Sequence, residues 1–173
     1  METMTTQTLP PLVRDVIEAY RACEFTTLTK NGTPLTWPVS TLLQSDGRFL
    51  ITTSLGLPQK AYNIRRNPRV SLLFSDPTAS GIAAPAPVVL VQGDAEVPEA
   101  IMVNPMEERE YWRDRIMSRQ PAGKMYSLNG LTRWFFDWYY MRLRILVTPR
   151  RILWWPDGDQ TQPAQMIGVE HVA

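Results

Sequence analysis

The sequence predicts a mainly β fold, a six- to seven-stranded β-barrel with flanking α-helices. Two observations point there. Short runs of apolar and β-branched residues recur at close spacing, and turn signals such as Asn31-Gly32, Asp46-Gly47 and Asn67-Pro68 stand between them. Few stretches carry helical periodicity, so the helices flank the barrel rather than build it. At 173 residues the chain suits one domain, with enough length to bury a substantial core.

Each element has its own warrant. Pro10 and Pro11 open a helix with Leu12, Val13, Val16, Ile17 and Tyr20 on one stripe. Residues 23–29 read as a strand with Cys23, Phe25, Thr27 and Thr29 on one side. Asn31-Gly32 supplies the positive φ of a hairpin turn, and the return strand spans 35–43, with Pro38 marking an edge or a bulge. A second turn at 45–48 leads into a strand over 49–53. The basic helix over 59–66 stops ahead of Pro68, because a proline disfavours helical backbone in the residue before it. A strand over 70–74, a proline-rich loop over 76–87 and a strand over 88–97 follow, with Gly93 marking a bulge or a close approach. From Pro105 the pattern is a polar helix with Met106, Tyr111, Trp112 and Ile116 as its apolar contacts. Beyond it lie a dense aromatic run over 134–140, strands over 141–148 and 152–155, and a polar tail from 157.

Composition excludes several classes. A net charge of +1 creates no field that would draw a nucleic acid or a membrane, and the basic residues do not interleave with aromatics as in a strand-binding groove. No apolar run approaches the length of a membrane span, and the N-terminus lacks a charged-then-apolar signal. Cys23 is the only cysteine, so no intramolecular disulfide forms and a cytoplasmic location is expected. A single histidine, His171, argues against a histidine triad or a zinc site.

The stretch from Ser54 to Ser71 is the most informative. An apolar strand enters a Gly/Pro loop, a short basic helix follows, and a second apolar strand leaves it. Helix N-termini carry free backbone N–H groups and positive dipole ends, so anions bind there. Lys60, with Thr52, Thr53 and Ser54 at the neighbouring strand end, is what a phosphate group needs.

In chain order, Asn31-Gly32-Thr33-Pro34, Trp37-Pro38-Val39, Gly47-Arg48-Phe49, Gln59-Lys60-Ala61-Tyr62-Asn63-Ile64-Arg65-Arg66-Asn67-Pro68-Arg69-Val70-Ser71 and Val91-Gln92-Gly93-Asp94-Ala95 resemble the pyridoxamine 5′-phosphate oxidase-like split β-barrel family. The resemblance covers roughly residues 20–97, which it marks as a cofactor-binding core. Residues 98–156 then supply a helix plus closing strands and 157–173 the tail of one domain. It implies a split β-barrel, a homodimer, and FMN or the deazaflavin coenzyme F420 in the dimer cleft; the lysine–helix run is especially similar to the deazaflavin branch. Carried over residue by residue, Lys60 is the lysine on the cofactor phosphate. Thr52 and Thr53 lie against the phosphate and its sugar-like chain, and Pro38, Val39 and Ser40 face the ring. Arg65 is a further candidate for the phosphate, while Arg66 and Arg69 are expected at the surface. Trp37 either stacks on the cofactor or fills barrel volume.

The departures are informative too. Where the true oxidases carry a phosphate-binding arginine and lysine, Trp37 and Leu42 stand here. Pro87 and Val88 replace an Arg-Gln pair. Oxidation of pyridoxamine phosphate itself is therefore not expected. Cys23 reads as an inert core thiol. The aromatic run 134–140 and Trp154-Trp155 read as core or interface, and Arg113 and Arg115 as solvated.

The resulting expectation is an oxidoreductase that binds FMN or a deazaflavin and moves hydride to or from a small organic substrate. The alternatives are a non-catalytic protein that binds or stores a flavin-like ligand, and an interaction dimer without cofactor.

Overall fold

A computed structural model describes residues 9–78, 80, 82–103, 108, 111, 115 and 141–168. The expected polar helix from Pro105, apart from three of its positions, and the aromatic run 134–140 lie outside the described residues. The elements in chain order are α1 (Pro11–Ala19), β1 (Cys23–Leu28), β2 (Pro34–Val39), β3 (Leu42–Leu43), β4 (Phe49–Ser54), α2 (Gln59–Arg66), β5 (Arg69–Phe74), β6 (Val88–Glu96), β7 (Ile101–Met102), β8 (Arg142–Trp155) and β9 (Gln165–Gly168).

All described strands join one antiparallel sheet of order β2-β1-β5-β6-β8-β4-β3, with β7 and β9 also on β8. β2 and β3 stand at opposite ends of this order, yet only Ser40 and Thr41 separate them in the chain. So short a link spans about 10 Å, and the sheet must therefore curl until its two edges nearly meet. That is a barrel split at Ser40–Thr41. The single return strand expected over 35–43 is thus two strands. Its first part pairs with β1 (Phe25 opposite Trp37), its second with β4 (Leu43 opposite Phe49).

Inside the curl, α1 contributes Val13 and Ile17, and the strands contribute Phe25, Phe49, Ile51, Leu72, Phe74, Val91, Ile145 and Val147. Each fully buried phenylalanine is worth about 1.5–3 kcal/mol by transfer. β1 alternates as expected, with Cys23, Phe25 and Thr27 inward. Burial pushes the Cys23 thiol well up, with Glu24 adding to the shift, so it stays protonated and inert. Leu12 departs from its expected stripe and is 65% exposed, because α1 presents only Val13 and Ile17 squarely to the sheet. Tyr20 closes the helix, its hydroxyl donating to the Pro87 carbonyl at 2.6 Å.

Two further strand expectations change. The two strands expected over 141–155 are one strand, β8, which pairs with β4 through its first part and with β6 through its second. It tolerates Pro149 because the ladder slips there, at a bulge opposite Gln92 and Gly93. Gly93 meets both expectations placed on it: a Cβ there would lie 2.3 Å from the Thr148 carbonyl oxygen. Finally, the segment read as a polar tail supplies β9, with Ile167 opposite Ile152. Among the described residues no helix is long and apolar enough to cross a membrane.

Candidate functional site

Every β4 residue is buried, because the strand is covered on both faces. Phe49 and Ile51 face the main core; Leu50 faces a second cluster with Leu42, Met102 and Tyr111. Where β4 ends, its residues turn polar: Thr52, Thr53 and Ser54 are all buried. Their hydroxyls shape the loop that follows. Thr53 Oγ1 donates to the Leu57 carbonyl at 2.9 Å, and Ser54 Oγ accepts from the Gly56 amide at 3.2 Å. The loop delivers the chain to α2, whose first turn carries Lys60.

α2 is held by one buried residue. Asn63 is fully buried and donates to Thr27 Oγ1 on β1 at 2.9 Å; its own oxygen accepts from Gln59 and Arg66 on the same helix. The helix has no side-chain N-cap, so this bond and the burial of Ala61 and Ile64 fix it against the barrel.

These pieces surround a cavity of about 210 Å³ at the split of the barrel. It is bounded by Pro38, Val39 and Ser40 on one side, Thr52, Thr53 and Ser54 on the other, and Lys60, Leu57, Tyr111 and Arg142. The structure therefore brings six of the expected residues together: Lys60, Thr52, Thr53, Pro38, Val39 and Ser40. Trp37 does not fill the barrel. It is half-buried on the edge strand, with the Lys60 ammonium 4.9 Å above its ring, a cation–π distance. Arg65 is exposed on α2 and does not line the cavity.

Two lining residues were not expected there. Arg142 opens β8 opposite Ser54, is 9% exposed, and donates from Nε to Thr52 Oγ1 at 2.7 Å and from a terminal nitrogen to the Thr52 carbonyl at 3.3 Å. Tyr111, read as an apolar contact, donates its hydroxyl to the Ser40 carbonyl at 3.1 Å, across the split. Burial pushes the Tyr111 hydroxyl up, while Thr52 and the Arg142 charge pull it back. The Lys60 ammonium is held below the ordinary lysine value, first by burial and then by repulsion from Arg142. Among the described residues no carboxylate lines the cavity. A second arginine also departs from expectation: Arg115 is 7% exposed rather than solvated and donates to the Glu18 carbonyl.

Such a donor set suits one chemical feature, a phosphate or a similar anion. Two cations stand beside three hydroxyls, and the Lys60 charge is disfavoured by Arg142. Of the four positions that depart from the oxidase pattern, Leu42 and Val88 are buried, whereas Trp37 and Pro87 are half-buried. The second cation comes from β8. Among the described residues no cluster of histidine, cysteine and acidic side chains suits a metal.

The family model for pyridoxamine 5′-phosphate oxidase matches residues 9–128, well over half of the chain. The chain belongs to that family. Among solved structures it is similar to a Clostridium acetobutylicum protein related to general stress protein 26, of the pyridoxinephosphate oxidase family. They are 14% identical over 91% of this chain and 94% of that one, with a TM-score of 0.56. It is also similar to an F420 reductase, at 20% identity over 83% of this chain and 98% of that chain, with a TM-score of 0.54. A heme binding protein from Mycobacterium smegmatis shares 20% identity over 92% of this chain and 59% of that one, also with a TM-score of 0.54. At these identities the likeness is one of fold. No curated protein matches. The family model takes in α1 to β7 and Tyr111 but ends before Arg142, so the second cation of the cavity lies outside the matched segment.

Proposed function

We propose that the protein is an oxidoreductase that binds FMN or the deazaflavin coenzyme F420 at the barrel split, as a cytoplasmic homodimer acting on a small organic substrate. The observation that carries the reading is the convergence of Lys60 and buried Arg142 on the hydroxyl-rich end of β4. Lys60 and Arg142 would hold the cofactor phosphate, with Thr52 and Ser54 as neutral donors and Thr53, whose hydroxyl donates to the Leu57 carbonyl, holding the loop beside them. Pro38, Val39 and Ser40 would line the ring-facing strand. The cavity matches the phosphate end only. At about 210 Å³ it falls below the roughly 300–1,000 Å³ usual for a whole ligand, so the ring would extend along exposed β2.

A bound flavin or deazaflavin ring supplies the hydride chemistry, and the protein supplies binding, orientation and electrostatics. Lys60 and Arg142 fix the anionic end and so set the position of everything attached to it. Tyr111 bonds the split closed at Ser40 and keeps its proton. Leu57 and Val39 present apolar side chains at the entrance.

The test is titration of purified protein with FMN and with F420, followed by fluorescence. One of the two is expected to bind, and Lys60→Ala to weaken it by roughly tenfold to more than a hundredfold, through loss of one charge-assisted contact worth about 1.5–3 kcal/mol. Unchanged affinity in the variant would remove Lys60 from the site, and failure of both cofactors to bind at micromolar excess would overturn the reading. Catalysis is distinguished from storage by reoxidation of the reduced, bound cofactor on addition of candidate acceptors.

A further inference from the structure

A second groove, of about 540 Å³, lies on the outer face of the sheet and shares no lining residue with the cavity at the split. Its polar walls are Asn67, Arg69, Gln92, Asp94, Arg150 and Arg151. The arginines are gathered there by the bulge in β8. Successive residues of a regular strand point to opposite faces. Here Gln92 is opposite Arg151 and Gly93 is opposite Pro149, so Arg150 is the extra residue of the ladder. Bulges re-aim side chains in this way, and both Arg150 and Arg151 are consequently exposed, whereas Pro149 before them and Ile152 after them are buried. Gly93 permits the slip, since only a residue without Cβ fits against the Thr148 carbonyl. From the other side Arg69, the first residue of β5, completes the group opposite Asp94.

Asp94 forms an ion pair with Arg150. Arg69 and Arg151 form none among the described residues. Three guanidinium groups against one carboxylate leave two positive charges around a concave surface that also offers two side-chain amides. Guanidinium groups bind phosphate oxygens in bidentate fashion, and a phosphomonoester carries close to two negative charges at neutral pH. We propose that this groove is a binding site for a dianionic phosphate group, as in a small phosphomonoester, separate from the cavity at the split.

The experiment uses the full chain carrying Lys60→Ala, which weakens any binding at the split, and the position of the amide shifts separates the groove from what Arg142 still holds there. Inorganic phosphate is titrated calorimetrically and by ¹⁵N amide shifts. Millimolar or tighter binding is expected, with shifts centred on Gln92, Gly93 and Arg151. Adding Arg69→Gln and Arg151→Gln, both at exposed positions, is expected to weaken binding by at least about tenfold. Methyl sulfate, a monoanion of similar shape, is expected to bind more weakly than phosphate. Absence of phosphate binding in the Lys60→Ala protein would overturn the proposal. So would shifts centred elsewhere, or an affinity that the two glutamine substitutions leave unchanged.

Discussion

Lys60 is the residue on which the proposed chemistry turns, and its titration gives a distinctive signature. Its folded-state pKa lies below the ordinary lysine value because of burial and the neighbouring Arg142 charge. In the ligand-free protein the unfolded chain therefore binds more protons than the folded one between the two values, so Lys60's contribution to stability rises with pH through that window. Anion binding runs the other way. A phosphate needs the ammonium charged, so affinity is full below the folded pKa and falls as pH rises through it, earlier than an exposed lysine would dictate. Cofactor affinity measured against pH should thus show an alkaline decline that disappears in Lys60→Ala, leaving a lower plateau. A decline of the same shape in the variant would assign the titration to another group.

α2 holds Lys60 in place through Asn63, a fully buried amide bonded to Thr27 of β1. Asn63→Ala removes that bond and strands the Thr27 hydroxyl in the core, at a cost of about 1–3 kcal/mol. Thermal unfolding should shift down by roughly 2–4 °C per kcal/mol, and cofactor affinity should fall although Asn63 does not line the cavity at the split. A variant with lowered Tm and unchanged affinity would show that the helix is held in place without it. Local elements of this kind were legible in the sequence. The helix bounded by the loop at 54–58 and by Pro68 runs over 59–66 as expected, and Lys60 with Thr52 and Thr53 could be placed because strand, loop and helix are contiguous. What was not legible depends on contacts between distant segments. Arg142 reaches Thr52 across 90 positions, through the register of β8 on β4, and Tyr111 reaches Ser40 across 71. The only sequence signal for Arg142 was its place, with Arg144, on the face of the strand away from the apolar side chains. The break at Ser40–Thr41 carries no glycine or proline to announce it. It exists because β2 and β3 have different partners.

At the scale of the molecule, the curl that makes the barrel also leaves the site incomplete. β2 is an edge strand with Pro34, Leu35, Thr36 and Pro38 exposed, and Leu57, at the cavity mouth, is 68% exposed. A flavin-type ring extended along β2 from the phosphate cavity would be left largely in water, which forfeits the apolar burial that most ligand sites provide. A second copy of the chain over this surface would supply the missing wall, as the proposed homodimer requires. Cofactor and subunit association must then be linked: whatever binds the dimer better than the monomer stabilises the dimer by mass action. Leu57→Asp places a charge at the mouth without replacing Lys60, Arg142 or any β4 residue. Sedimentation should show this variant shifted toward monomer, and cofactor affinity should fall by about tenfold or more, as expected when an apolar wall is replaced by solvent. Adding saturating cofactor should draw the variant back toward dimer. A monomeric variant that bound cofactor with the affinity of the parent chain would show instead that one barrel suffices and that exposed β2 serves another purpose.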